Sequence, residues 1–112
     1  MDLKQIRYFV AVAEERSFTA AAERLHITQP PLSRQIQLLE EFLSVQLLKR
    51  DTRPMELTEA GRLFYEQSIQ LLNRIEQMQV ATTRLGQSYQ ERLSIGFVVS
   101  TIYSGLPSLV QN

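Results

Sequence analysis

Ser17-Phe18-Thr19-Ala20-Ala21-Ala22-Glu23-Arg24-Leu25-His26-Ile27-Thr28-Gln29-Pro30-Pro31-Leu32-Ser33-Arg34-Gln35-Ile36-Gln37-Leu38-Leu39-Glu40-Glu41-Phe42-Leu43 decides the fold. It reads as two helices joined by a tight turn. The first starts after Ser17 and runs to Leu25; the second starts near Gln29 and runs to about Leu43. At about 100° per residue, Leu32, Ile36, Leu39 and Leu43 share one narrow stripe, which must face a core. Pro30, Arg34 and Gln37 lie roughly opposite, with Ser33 on the flank. Those side chains suit base edges: Arg can pair bidentately with guanine and Gln with adenine. Ser donates and accepts, and a Pro ring packs on a thymine methyl.

The turn sharpens this reading. With Thr28 as N-cap, Pro30 and Pro31 occupy the positions whose N–H groups would bond to the capping side chain. Proline has no N–H, so the Thr28 hydroxyl stays free for another partner such as a phosphate. The prolines also preset φ for the first turn. A stiff helix tip with a partial positive charge results.

Outward from this stretch, Asp2-Leu3-Lys4-Gln5 reads as a capping box. It opens a helix to about Arg16 whose buried face is Ile6, Phe9, Val10 and Ala13. His26 falls in the turn as a structural residue. Beyond Leu43 the period changes. Val45 to Arg50 and Pro54 to Leu57 are short apolar segments around Asp51-Thr52-Arg53, which predicts a two-stranded wing with a charged tip. Thr58 caps a long helix running to about Leu85 and ended by Gly86. Phe64, Leu71, Met78 and Leu85 recur every seventh residue, with Ile75 in the alternate register. Ser68 and Thr82 break the other half of that heptad, a pattern that suits helix packing between subunits. At about 1.5 Å per residue the helix spans roughly 40 Å, more than so small a domain can cover by itself. A polar hinge follows at 87–91. Leu93 to Ser100 then reads as a buried strand, and Thr101 to Asn112 as a helix start interrupted by Pro107.

Composition excludes several functions. The 112 residues suffice for one small domain with an appendage, and 44% are hydrophobic, an ordinary share. Cysteine is absent and His26 is the only histidine, so neither a metal site nor a His-based triad is expected, and no cofactor is implied. No nucleophile–base pair or phosphate loop points to an enzyme. No apolar run is long enough to span a membrane, and Asp2 stands where a signal peptide would be basic and then apolar, so a cytoplasmic location is the default. Net charge is zero, so bulk charge does not predict nucleic-acid binding. The window between Glu23 and Glu40, with Arg24 and Arg34, and the cluster Lys49, Arg50 and Arg53 are nevertheless locally cationic.

The segments Ser17 to Ala22 and Leu25 to Ile36 resemble the helix-turn-helix of LysR-type transcriptional regulators. Leu3 to Glu15 resembles that family's first helix, and Leu57-Thr58-Glu59-Ala60-Gly61 the start of its linker helix. Arg7 to Glu14 and Arg53-Pro54 look most like the regulators of aromatic-compound catabolism. The resemblance implies a mainly α fold. A winged helix-turn-helix DNA-binding domain occupies 1–58, with the helix-turn-helix at about 18–37 and the wing at about 46–57. A linker, or dimerisation, helix follows at 59–86, a hinge at 87–91, and the first strand and helix of an incomplete α/β effector-binding domain at 92–112. The chain is then a fragment or an early truncation.

Double-stranded DNA is the expected partner. Gln29, Pro30, Pro31, Ser33, Arg34 and Gln37 would read bases. Thr28, Lys49, Arg50 and Arg53 would take the backbone or minor groove, and the resemblance favours Arg53 for the latter. Phe64, Leu71, Ile75, Met78 and Leu85 would pair the linker helix antiparallel with that of a second subunit. A homodimer or higher oligomer would bind an inverted-repeat operator. In the complete protein, RNA polymerase and a small-molecule inducer are further partners, and Ser100 and Thr101 would fall at the carboxyl end of a strand where open α/β sheets bind ligands. The rival reading, a protein-interaction module on the same fold, would require exposed apolar side chains where this chain has Gln, Ser and Arg.

Overall fold

The computed structural model describes residues 1–95, with side-chain environments through residue 90. Element order is α1 (Leu3–Glu15), α2 (Phe18–Leu25), α3 (Gln29–Leu43), β1 (Leu48–Lys49), β2 (Glu56–Leu57) and α4 (Glu59–Ile95). The chain divides into two compact units, Met1–Leu71 and Leu72–Asn112, and α4 contributes to both.

In the first unit, local chemistry sets each helix start. The Gln5 N–H donates to Asp2 Oδ1 at 2.8 Å, and the Ala20 N–H to Ser17 Oγ at 3.1 Å. Half of the expected capping box is missing, because the Gln5 side chain turns away from Asp2 and donates instead to Gln35 Oε1 at 3.0 Å. Thr28 caps α3 with no side-chain hydrogen bond, as two prolines in the first turn require. Helices α1, α2 and α3 all end on a left-handed residue that is not glycine: Arg16, His26 and Ser44, with φ of 56°, 59° and 58°. After α2, Ile27 N–H donates to Ala22 O and His26 N–H to Glu23 O, at 3.0 and 3.2 Å, which satisfies the final carbonyls.

The core gathers Phe9 and Val12 of α1, Ala21 and Ala22 of α2, Leu32, Ile36 and Leu39 of α3, and Leu47, Leu48 and Met55 of the wing. Each of the larger side chains contributes about 1.5–3 kcal/mol on burial. The stripe read on α3 is thus the inner face, with Leu43 half-buried at its end. Ala21 and Ala22 are buried and small, which lets α2 approach its neighbours closely.

The wing is a short antiparallel hairpin that pairs Leu48 with Leu57 and Lys49 with Glu56. Thr58 ends it and starts α4 through one hydroxyl, which donates to Gln46 O (2.7 Å) and accepts from the Gly61 N–H (2.9 Å). Phe64 stands edge-on to Phe9, with ring centroids 5.3 Å apart, and Ser68 is buried one turn later.

In the second unit the described residues continue α4. The expected stop at Gly86 and the hinge at 87–91 are not found: α4 runs through Gly86 to Ile95, so the expected strand at 93–100 begins in helix. The physical reason is that Gly86 keeps a negative φ. A glycine inside a helix costs only about 1 kcal/mol, and the good helix formers Gln87, Gln90, Glu91 and Arg92 carry the ladder past it. The rest of that strand, the helix from Thr101 and the effector-site residues Ser100 and Thr101 lie outside the described residues.

Candidate nucleic-acid interface

Helix α3 is held by its inner stripe and presents the opposite face to solvent. Gln29, Pro30, Pro31, Arg34 and Gln37 are exposed, and Ser33 is half-buried on the flank. Thr28, at the tip, is exposed too, with its hydroxyl unused by the helix. Gln29 Oε1 accepts from Thr19 Oγ1 at 3.3 Å, which leaves its amide nitrogen for another acceptor. Arg34 has no acidic partner among the described residues, so the centre of this face keeps an uncompensated positive charge.

The other arginines of the two cationic stretches behave differently. Arg24 is engaged within the fold. It pairs with Glu14 at 2.8 Å and Glu15 at 3.2 Å. The Tyr65 hydroxyl donates to the same Glu14 at 2.6 Å, so one carboxylate joins α1, α2 and α4. That hydrogen bond is the largest influence pulling the Glu14 pKa below its ordinary value; desolvation opposes it and Arg24 assists. The same bond pushes Tyr65 up, and the bond to Glu14 pushes Arg24 up.

Arg50, expected on a phosphate, instead faces α3. Its guanidinium meets Glu40 at 2.8 Å and lies 5.9 Å from the Phe18 ring centroid. Glu40 also accepts the N–H groups of Leu47 (2.8 Å) and Leu48 (3.3 Å), so this carboxylate fastens the wing to the end of α3. Sequence reading missed the arrangement because the partners are ten residues apart across a turn, and charge type alone does not reveal pairing.

Arg53 makes no such ion pair among the described residues. It is exposed at the hairpin tip, next to a cis peptide bond to Pro54. Its Nη1 donates only to the carbonyls of Arg50 (3.0 Å) and Thr52 (3.2 Å), which position the guanidinium without neutralising it. Lys49 is exposed without an acidic partner among the described residues. Among the described residues, Arg34, Lys49 and Arg53 thus have no acidic partner, whereas Arg24 and Arg50 are engaged in holding the fold.

Of the residues expected to dimerise, Leu71, Met78 and Leu85 are 42%, 55% and 48% exposed, and Ile75 is half-buried. Phe64 differs, because its partner is Phe9 of the same chain. No group of three or more His, Cys, Asp or Glu side chains able to hold a metal occurs among the described residues. No helix described is long and apolar enough to cross a membrane.

Residues 3–62 match the model of the bacterial regulatory helix-turn-helix proteins of the lysR family. Over 111 residues the chain is 64% identical to the probable cat1 operon transcriptional activator of Acinetobacter lwoffii, covering 99% of this chain and 37% of that protein. It is 50% identical over 110 residues to the HTH-type transcriptional regulator BenM of Acinetobacter baylyi, covering 98% and 36%. It thus spans little more than a third of the length of those curated relatives. Among solved structures, the BenM DNA-binding domain in complex with benA site 1 DNA superposes with a TM-score of 0.75 at 55% identity, over 77% of this chain and 97% of that one. The CbnR DNA-binding domain–DNA complex gives 0.72 at 42% identity, over 77% and 99%. With a core, a wing and a polar helix face laid out as described, and with more than half its length matched by one family model, the chain belongs to the lysR family of bacterial regulatory helix-turn-helix proteins.

Proposed function

We propose that residues 1–58 bind double-stranded DNA sequence-specifically, as the reading unit of a cytoplasmic, non-enzymatic transcriptional regulator. The observation that carries this is the exposed face of α3, where Arg34 has no acidic partner among the described residues while Arg24 and Arg50 are paired. Gln29, Pro30, Pro31, Ser33, Arg34 and Gln37 would enter the major groove. Thr28 and Lys49 would meet phosphates, and Arg53 the minor groove. DNA complexes of the BenM and CbnR domains support the same use of the fold here.

The experiment is to select duplexes from a random pool and titrate the winner and a random duplex with the wild type and with Arg34→Ala. Loss of one bidentate base contact should cost about 1–3 kcal/mol on the selected duplex only, and the preference should relax. Equal losses on both duplexes would make Arg34 a phosphate contact and remove it from the reading face.

The regulator acts as a homodimer on an inverted repeat, with half-sites about one helical turn or a multiple apart. Exposed Leu71, Met78 and Leu85, at seven-residue spacing, support an interchain seam. Leu71→Asp should shift the chain to monomer in light scattering and weaken binding to the paired half-sites while sparing a single half-site. A monomeric wild type at working concentration would sink the seam. The complete protein would add an inducer-binding domain beyond α4, tuned to aromatic compounds or their breakdown products, and contacts with RNA polymerase.

A further inference from the structure

Gln29 opens α3, and its own helix gives its side chain little to hold. Thr28 makes no capping bond, and Pro30 and Pro31 have no N–H to offer an amide oxygen. One turn on, Leu32 is fully buried in the core. Support comes from α2 instead: the Thr19 hydroxyl, in the first turn of that helix, donates to Gln29 Oε1 at 3.3 Å. Both side chains are exposed, so water competes for each group and the bond contributes little to the stability of the fold. What it limits is freedom. An untethered glutamine turns about its side-chain bonds, and a base edge is matched only by an amide that lies in one place with its donor and acceptor in one order.

We propose that Thr19 is a specificity-determining positioning residue: from outside the reading helix, it holds the Gln29 amide in the pose that reads a base pair. The proposal rests on the DNA-binding reading of α3. The bond reaches the end of the Gln29 side chain, its reading group, rather than its stem. It falls on the amide oxygen, so the order of donor and acceptor is set relative to α2. Both partners are neutral, so the pair adds no general attraction for phosphate, and its effect falls on sequence preference. An amide already held gives up less freedom on meeting its base than one free to turn, and a wrong base must break the tether to be accommodated.

The test uses the whole chain, a duplex selected by the wild type, a random duplex of equal length, and single-pair variants of the selected duplex. Gln29→Ala first locates the base pair at which discrimination is lost. Thr19→Val keeps the β-branched shape and removes the hydroxyl. It should lower the preference at that one pair about threefold to tenfold, the range of one hydrogen bond, and leave the random duplex and the Tm as in the wild type. Thr19→Ser keeps the hydroxyl and should keep the preference. In the Gln29→Ala background, Thr19→Val should change nothing further, because the two side chains act as one unit. Equal weakening of both duplexes by Thr19→Val would make Thr19 a phosphate contact, and a lowered Tm would make it a structural residue; either overturns the proposal. An unchanged preference in Thr19→Val, a lost preference in Thr19→Ser, or a further loss in the Gln29→Ala background overturns it too. If Gln29→Ala loses discrimination at no pair while Arg34→Ala does, only this proposal fails. If the wild type binds the selected and random duplexes alike, the DNA-binding reading fails and takes the proposal with it.

Discussion

Gly61→Ala will lower the thermal midpoint by roughly 10–20 °C, while Gly86→Ala, in the same helix, will leave it unchanged or raise it. A Cβ at position 61 would fall inside the contact distance of the Leu47 carbonyl oxygen and 3.0 Å from its carbonyl carbon. Neither side can yield cheaply. Leu47 O accepts the Thr58 N–H at 3.0 Å, and the N–H of the same peptide group, that of Leu48, donates to Glu40 at 3.3 Å, so both ends of that peptide are engaged. On the other side, the Gly61 N–H is bound by the Thr58 hydroxyl. Alanine would normally gain about 1 kcal/mol over glycine within a helix. Overpacking costs about 1–3 kcal/mol and occasionally more, and against backbone the upper end applies. The net loss of about 2–3 kcal/mol is a large part of the stability of so small a domain. Around Gly86 nothing lies within 4 Å of the added atom, so only the helix-propensity gain remains. Melting followed by circular dichroism at one fixed protein concentration checks both signs, because association would otherwise move the midpoint. Equal shifts for the two variants would mean that the close approach of α4 to the wing is not the constraint at position 61.

The same two glycines show where sequence reading succeeds and where it stops. The α2–turn–α3 segment was legible because the buried stripe of Leu32, Ile36 and Leu39 repeats at helical spacing and the tip prolines dictate what Thr28 cannot do. The wing was legible from two short apolar runs around a charged tip. The end of α4 was not, because glycine was taken as the residue of helix ends. In this chain the left-handed caps fall on Arg16, His26 and Ser44, while the described glycines, Gly61 and Gly86, sit inside a helix. The α3 face could be read because exposure follows from what the helix buries. The partners of Arg24, Arg50, Gln5 and Phe64 could not, since each meets a side chain on a different element and no local period records such a meeting. Sorting free from engaged arginines therefore needed the fold.

Glu40→Ala tests that sorting most severely. The Glu40 side chain is only 11% exposed, and its two oxygens serve the Leu47 N–H, the Leu48 N–H and the Arg50 guanidinium. Without it, two backbone donors at the entry to β1 lose their acceptor, each at about 1–3 kcal/mol. Arg50 also loses its counter-charge, a smaller effect because that side chain is 38% exposed and solvent screens it. A total loss of about 3–4 kcal/mol is expected in chemical unfolding. The wing should also lose its fixed position relative to α3, so DNA affinity should fall at temperatures where the domain remains folded, although Glu40 itself would repel a phosphate. The deciding measurement is a double-mutant cycle with Arg50→Ala. If Arg50 acts through Glu40, the pair is one unit, and Arg50→Ala will add little to the stability loss or the binding loss of Glu40→Ala. If Arg50 grips a phosphate directly, Arg50→Ala will cost affinity in both backgrounds, with little loss of stability. The two patterns cannot coincide, because a phosphate contact is silent when no DNA is present and a clamp is not.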